Sequence, residues 1–272
     1  MDNSATGNQP SLDAQFRTVL TKRAIANLVK DRLPGQIQDL NARQFSGYVR
    51  GADSNRLHYM FYECESNPND VSLILWMNGG PGCSSMAGLL LEIGPFSLTI
   101  DFTLTLRDTS WHKFANTIFL ESPGGTSYSY NQYHQYNFSD NTVTDSNYLA
   151  MLDFYKIFPQ FIKNSLYITG ESYGGFYAPL LAKQYQVRQA LHIPSVAPQW
   201  QICSNFIDGK YSYAIQYESM NSVYNYILPK LRLLAVYGDL DALVAFGGGL
   251  RYFSFVEQSE VFKTKHLLTN RS

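Results

Sequence analysis

Charge of either sign is scarce and balanced in this 272-residue chain, where 21 Lys+Arg stand against 22 Asp+Glu for a formal net charge of −1. No basic field is available to recruit nucleic acid or an anionic membrane surface, so neither is expected as a partner. No apolar run reaches the roughly 20 residues of a membrane-spanning helix. There are three cysteines, Cys64, Cys83 and Cys203, too few to define a disulfide scaffold. Neither a cofactor nor a metal is called for by the pattern. Residues 1–30, beginning Met1-Asp2-Asn3-Ser4, have neither the basic start nor the apolar core of a secretory leader, and no role is assigned to this extension. Internal repeats and low-complexity tracts are absent from the sequence.

What remains is apolar and aromatic. Hydrophobic residues make up 45% and aromatic residues 15%, with 20 Tyr and 17 Phe, enough to build one large domain around a sizeable core. Residues 45–62 alternate, with Phe45, Tyr48, Leu57, Tyr59 and Phe61 among polar neighbours, and Gly51-Ala52-Asp53-Ser54-Asn55 divides them into a hairpin. Residues 71–77, 117–121, 166–169 and 231–237 read as buried strands. Residues 140–158 carry Val143, Leu149, Leu152, Tyr155 and Phe158 close to helical spacing, with Pro159 as the stop. Further helices are expected after residue 173, over 211–228 and over 246–258. Strands alternating with helices predict an α/β fold, a mostly parallel central sheet covered by helices on both faces.

The chemistry concentrates in three turns. Gly170-Glu171-Ser172-Tyr173-Gly174 matches G-x-S-x-G, in which a strand turns sharply into a helix with an exposed serine at the apex. Taken alone, this stretch equally fits an ordinary glycine-rich strand-to-helix loop. Asn78-Gly79-Gly80-Pro81-Gly82-Cys83-Ser84-Ser85 follows a strand; such a turn either aims backbone N–H groups into a common cavity or is simply a Pro-Gly turn. Gly238-Asp239-Leu240-Asp241 sets carboxylates at the end of a third strand, after the serine, in the order of an α/β-hydrolase triad.

Together, N-G-G-P-G-C-S-S, G-E-S-Y-G-G and G-D-L-D resemble the serine carboxypeptidases. Arg32-Leu33-Pro34-Gly35, Phe45-Ser46-Gly47-Tyr48, Leu120-Glu121-Ser122-Pro123 and Val187-Arg188-Gln189-Ala190-Leu191 are most similar to the cathepsin A type. The resemblance covers roughly 31–258 as a single, interrupted α/β-hydrolase domain and leaves 259–272 as a divergent tail. It implies Ser172 as the nucleophile, the N–H groups of Gly80 and Tyr173 as the oxyanion hole, and Asp241 as the triad acid, with Asp239 a turn residue. It also implies Asn78, Gly79, Glu92 and Glu171 as the group that binds a substrate's terminal carboxylate, beside Trp76. Two adjacent acids serve an anion because they cannot both ionise cheaply and hold protons in acid, where they donate hydrogen bonds. A Cys83–Cys203 disulfide, with Cys64 left over, and glycosylation at Asn137 of Asn137-Phe138-Ser139 are further implications. So are a lysosomal or secreted location, a peptide substrate with a free C-terminal carboxylate, and a homodimer as one assembly state.

Two departures set further expectations. The resemblance calls for another core strand and a cysteine-rich lid after the serine's helix, yet Lys183-Gln184-Tyr185 runs almost directly into Val187-Arg188-Gln189. The sheet is therefore expected to be incomplete, with unpaired backbone groups at the gap. The G-x-G-H segment that supplies the family's histidine has no match either. His58, His112, His134 and His192 precede Asp241, and His266, in Lys265-His266-Leu267, is a candidate base by chain order alone. Without a matched base, catalysis by the chain as written is expected to fall far below that of a full triad. A non-catalytic carboxylate-binding relative, a truncated isoform and an acyltransferase are the alternatives.

Overall fold

The computed structural model describes residues 19–190 and 220–236, with side chains to residue 186 in the first segment. A short helix, α1 (Lys22–Asn27), opens the first segment, capped by Thr21, whose hydroxyl accepts from the Ala24 N–H at 3.1 Å. Strands β1 (Gln44–Arg50) and β2 (Asn55–Tyr62) then pair antiparallel, from Gln44 opposite Tyr62 to Arg50 opposite Arg56. Their turn needs left-handed backbone at two successive residues, Asp53 (φ 48°) and Ser54 (φ 64°), which short polar side chains tolerate best after glycine. The expected hairpin is present.

The remaining elements of this segment are β3 (Leu73–Met77), the small antiparallel pair β4 (Phe96–Leu98) and β5 (Leu104–Leu106), β6 (Asn116–Leu120), β7 (Tyr130–Asn131), α2 (Asp140–Ile157), β8 (Leu166–Gly170) and α3 (Gly174–Ala190). The main sheet runs β1-β2-β6-β3-β8, with β7 paired to β2. β6, β3 and β8 are mutually parallel, whereas β1, β2 and β7 add antiparallel pairs, so the sheet is mixed.

Side chains alternate across it with the period of two that a pleated strand imposes. Tyr59, Phe61, Leu73, Leu75, Met77, Ile118 and Leu120 enter one core, closed by Val143, Met151, Phe154 and Ile157 of α2 and Tyr177 and Leu181 of α3. Met60, Tyr62, Trp76 and Phe119 enter the other, closed by Leu89, Phe96 and Leu104. The cover is unequal. Among the described residues, long helices pack on the first face only. The second carries, among the described residues, a π-helical turn (Gly88–Glu92), the β4–β5 hairpin and a 3₁₀ turn (Trp111–Lys113). No helix among the described residues is long and apolar enough to cross a membrane.

Helix α2 starts where its sequence says it should. Ser139 and Thr142 exchange hydrogen bonds in a capping box, and Asp140 places a negative charge in the first turn. It ends at Ile157, just before Pro159.

At the other end of the sheet, β8 is an edge strand among the described residues. None of its five residues is buried. Residues 220–236 belong to a second compact unit. There α4 (Asn221–Ile227) realises part of the helix expected over 211–228, with Met220, Val223 and Ile227 buried. Of the strand expected over 231–237, the described part, 231–236, is not in strand conformation. Residues 231–236 join no sheet, and Leu234 and Val236 are about four-fifths exposed. An apolar run becomes a strand only when a neighbouring ladder receives its N–H and C=O groups, and residue composition does not supply that partner. The helix expected over 246–258 lies outside the described residues.

Candidate active site

Ser172 sits at the junction of β8 and α3 in the left-handed region, at φ +55°. A non-glycine residue there is strained, and a sharp strand-to-helix turn that lifts a serine out of the backbone is one setting that maintains such strain. The turn is fastened by the Glu171 N–H to the Met77 carbonyl (3.2 Å), Gly174 N–H to Glu171 (2.8 Å) and Gly175 N–H to Ser172 (2.9 Å). Tyr173 is anchored separately. Its ring stacks on Phe176 at 4.7 Å, and its hydroxyl donates to Asp140 Oδ1 at 2.9 Å. Burial, then the Asp140 hydrogen bond, pushes the phenol up to about 12, so it remains a donor at any physiological pH.

The loop after β3 lies directly against this elbow. A Cβ on Gly79 would overlap the backbone nitrogen of Tyr173, so only glycine lets the two loops touch. Gly80 follows at φ +102°, another position suited to glycine. Hydroxyls tie the loop to β6. Ser85 Oγ accepts from the Asn78 N–H (3.0 Å) and donates to the Leu120 carbonyl (2.6 Å). Glu121, fully buried, receives the Ser84 hydroxyl (2.7 Å) and the Met86 N–H (3.2 Å) on Oε1. The backbone N–H groups of Gly80 and Tyr173 donate no hydrogen bond among the described residues. Two such N–H groups on adjoining loops beside a serine suit an oxyanion hole.

Asn78 is the centre of the arrangement. Its Oδ1 accepts from the Trp76 indole N–H (2.7 Å) and the Gly88 N–H (3.2 Å). Two donors on that oxygen fix the amide's orientation, so Nδ2 faces outward. Nδ2 donates to Glu92 Oε1 and Glu171 Oε2, each at 3.2 Å. All four hydrogen-bonding positions of this buried amide are filled, and one carboxamide joins an acid from the π-helical turn to an acid from the elbow. Trp76 thus does more than line the site, because its N–H selects which face of Asn78 meets the acids.

Of the sequence candidates, Asn78, Gly79, Gly80, Glu92, Glu171, Ser172 and Tyr173 are brought into one place. Asp241, His266 and Cys203 lie outside the described residues. Cys83 is exposed and Cys64 buried, and neither forms a disulfide among the described residues. Asn137 is exposed, two residues before the cap of α2. Burial lowers the pKa of His58, opposed by Glu121, and that of His112, opposed by Glu65; both serve the framework, against Ser46 Oγ (3.0 Å) and Ser110 Oγ (2.6 Å). Ser85, Glu121 and Asp140 have no assigned role in the sequence reading. Ser85 and Glu121 stand inside recognised motifs, but a buried hydroxyl or acid that supports a loop has no spacing that announces it. No cluster able to hold a metal ion occurs among the described residues.

A profile described as serine carboxypeptidase matches residues 34–185 and 182–266, which is most of the chain. The chain belongs to the serine carboxypeptidase family. Among curated family members, the Lysosomal protective protein of Mus musculus is 44% identical over 153 residues, covering 56% of this chain and 32% of that protein. Serine carboxypeptidase ctsa-4.1 of Caenorhabditis elegans is 44% identical over 152 residues, covering 55% and 32%. The chain's matched part thus spans about a third of the length of these relatives. Among solved structures, the prohormone-processing carboxypeptidase Kex1(delta)p of Saccharomyces cerevisiae superposes with a TM-score of 0.56 at 27% identity, covering 63% of this chain and 40% of that one. The fold is that of the α/β-hydrolases, present in part.

Proposed function

We propose that this protein is a serine carboxypeptidase, which removes C-terminal residues from peptides in acid through an acyl-enzyme on Ser172. The single observation that carries the reading is Asn78, whose Nδ2 bridges Glu92 and Glu171 while Glu171 precedes the strained Ser172 in the elbow. A carboxylate-recognising group thus stands one residue from the nucleophile. Both Nδ2 protons are already engaged by the two acids, so it is the acid pair held by Asn78 that meets a substrate's terminal carboxylate.

Ser172 Oγ then attacks the carbonyl carbon of the last peptide bond. The developing oxyanion is received by the N–H groups of Gly80 and Tyr173. The Ser172 proton passes through the base to the departing nitrogen, the C–N bond breaks, and the terminal amino acid leaves. Water repeats the attack on the ester and frees Ser172. Asp241, in the matched Gly238-Asp239-Leu240-Asp241 turn, takes the place of the acid, and His266, which follows it in the chain without a matching context, is the candidate base. A lysosomal or secreted setting is part of the proposal, supported by the mouse relative's name and by the exposed sequon at Asn137.

The test is release of the last residue from an N-blocked dipeptide at acid pH, with the C-terminal amide as control. Release from the free acid at a rate far below that of a full triad, since no histidine of the chain stands in a matching context, refusal of the amide and loss on Ser172→Ala are expected. Turnover that survives Ser172→Ala, or no turnover at all, would overturn the reading. Loss on His266→Ala would identify the base.

A further inference from the structure

We infer that Arg107 is a positioning residue for carboxylate recognition, clamping the end of the π-helical turn that carries Glu92. The inference rests on the proposed role of Asn78, Glu92 and Glu171. Glu92 is the last residue of that turn, Gly88–Glu92, and its side chain reaches Asn78. The turn's near end is tied to the same amide through the Gly88 N–H. Its far end should fray, because the carbonyls closing a helical turn have no partner within it.

Arg107 supplies the partners. Its Nη2 donates to the carbonyls of Leu90 (3.0 Å) and Phe96 (3.1 Å), and its Nε to that of Gly94 (3.2 Å). The carbonyl of Ile93 is taken by the Trp111 N–H (3.0 Å) and the Ser110 hydroxyl (3.2 Å). Arg107 is itself held by its N–H to the Pro95 carbonyl at 2.8 Å. A planar guanidinium with a fixed fork of donors can hold three carbonyls at once, and a cation suits the negative end of a helical turn. A lysine ammonium, one point charge on a flexible stem, cannot reproduce the geometry. The clamp bridges the two sides of Glu92, from Leu90 to Gly94, so the acid's reach towards Asn78 is set from Arg107.

The expected consequence is selective. Losing the clamp should weaken recognition of a free carboxylate and leave the rest of ligand binding in place. The probe is N-benzoyl-phenylalanine against its carboxamide, measured by calorimetry at pH 5 on the full chain and on Arg107→Ala, Arg107→Lys, Glu92→Gln and the double variant Arg107→Ala/Glu92→Gln. Arg107→Ala should lower the acid-to-amide affinity ratio by about tenfold, the worth of roughly one hydrogen bond, and Arg107→Lys by less. In the Glu92→Gln background, removing Arg107 should change the ratio by less than about twofold, because the two act in series. An unchanged ratio in Arg107→Ala, or an equal drop with and without Glu92, overturns the inference. Should Arg107→Ala fail to unfold cooperatively on heating, Arg107→Lys is read by the same cycle. A parent chain that does not prefer the acid overturns the carboxylate reading itself, an outcome distinct from an intact preference that ignores Arg107.

Discussion

β3 and β8 are parallel neighbours of five residues each, and each ends on a turn of the same site, yet all five residues of β3 are buried and none of β8 is. β3 leads to Asn78, the recognition half, and lies between β6 and β8. β8 leads to Ser172 and has one strand neighbour among the described residues. Strand composition does not account for the difference, since Leu166 and Ile168 are as apolar as Leu73 and Leu75. Burial is conferred by neighbours. The recognition half is therefore anchored in the framework, while the nucleophile's place depends on one ladder, on α3, and on Gly79 letting the two loops meet.

The largest effect should be the one that breaks this comparison most openly. Leu75→Ala, a truncation in the first core, is expected to lower the free energy of unfolding by about 2–5 kcal/mol, and Ile168→Ala, at a half-buried edge position, by about 1 kcal/mol. Equal losses in urea titrations would mean that β8 is as well covered as β3. Next, Asn78→Leu would strand the Trp76 indole N–H and the Gly88 N–H without an acceptor and take the shared donor from two acids. A loss of roughly 2–3 kcal/mol should accompany the loss of carboxylate binding. Retained preference for a free acid over its amide in that variant would remove Asn78 from the recognition half. Ser139→Ala, which opens the capping box of α2, should cost about 1 kcal/mol. Since α3 packs on α2, amide exchange in α3 should rise with it, and a change confined to α2 would uncouple them.

The pH dependence sharpens the same contrast. His58 on β2 and His112 are held neutral by burial, with folded-state pKa values below the ordinary histidine value. The unfolded chain then binds more protons, so their contribution is full above about pH 6.5 and is lost as pH falls through that value towards the lowered one. Asp153 is also lowered, although burial opposes its hydrogen bonds from Arg23 and Arg50. Its contribution is lost only in a separate window, below the ordinary carboxylate range. Unfolding followed from pH 7.5 to 5 should show a decline that flattens in His58→Gln. A stability that rises into acid would contradict the assignment. Smallest of all, disrupting the Arg32–Asp39 pair, which is exposed, should change nothing measurable in urea.

Much of this was legible in the residues. The hairpin at 45–62, the strands leading to Asn78 and Ser172, and the capped helix at 140–158 each follow from local periodicity and turn chemistry, which a single sequence carries. The convergence of Asn78, Glu92 and Glu171 came only through resemblance, because residues 14 and 93 positions from Asn78 share no local pattern with it. Three things were not legible. Residues 231–236 have strand composition but no ladder. The π-helical turn and hairpin that cover the second face among the described residues follow from packing around Trp76 and Phe119. Arg107 reads as one more surface cation until the carbonyls it gathers are seen.

The most direct test of a recognition half joined to a nucleophile half is covalent labelling of the full chain at pH 5 with a fluorophosphonate, followed by mapping of the modified residue. An adduct is expected on Ser172 and on no serine of the loop after β3, slowed by N-benzoyl-phenylalanine and unaffected by its carboxamide. Labelling that misses Ser172, or equal protection by acid and amide, would contradict it.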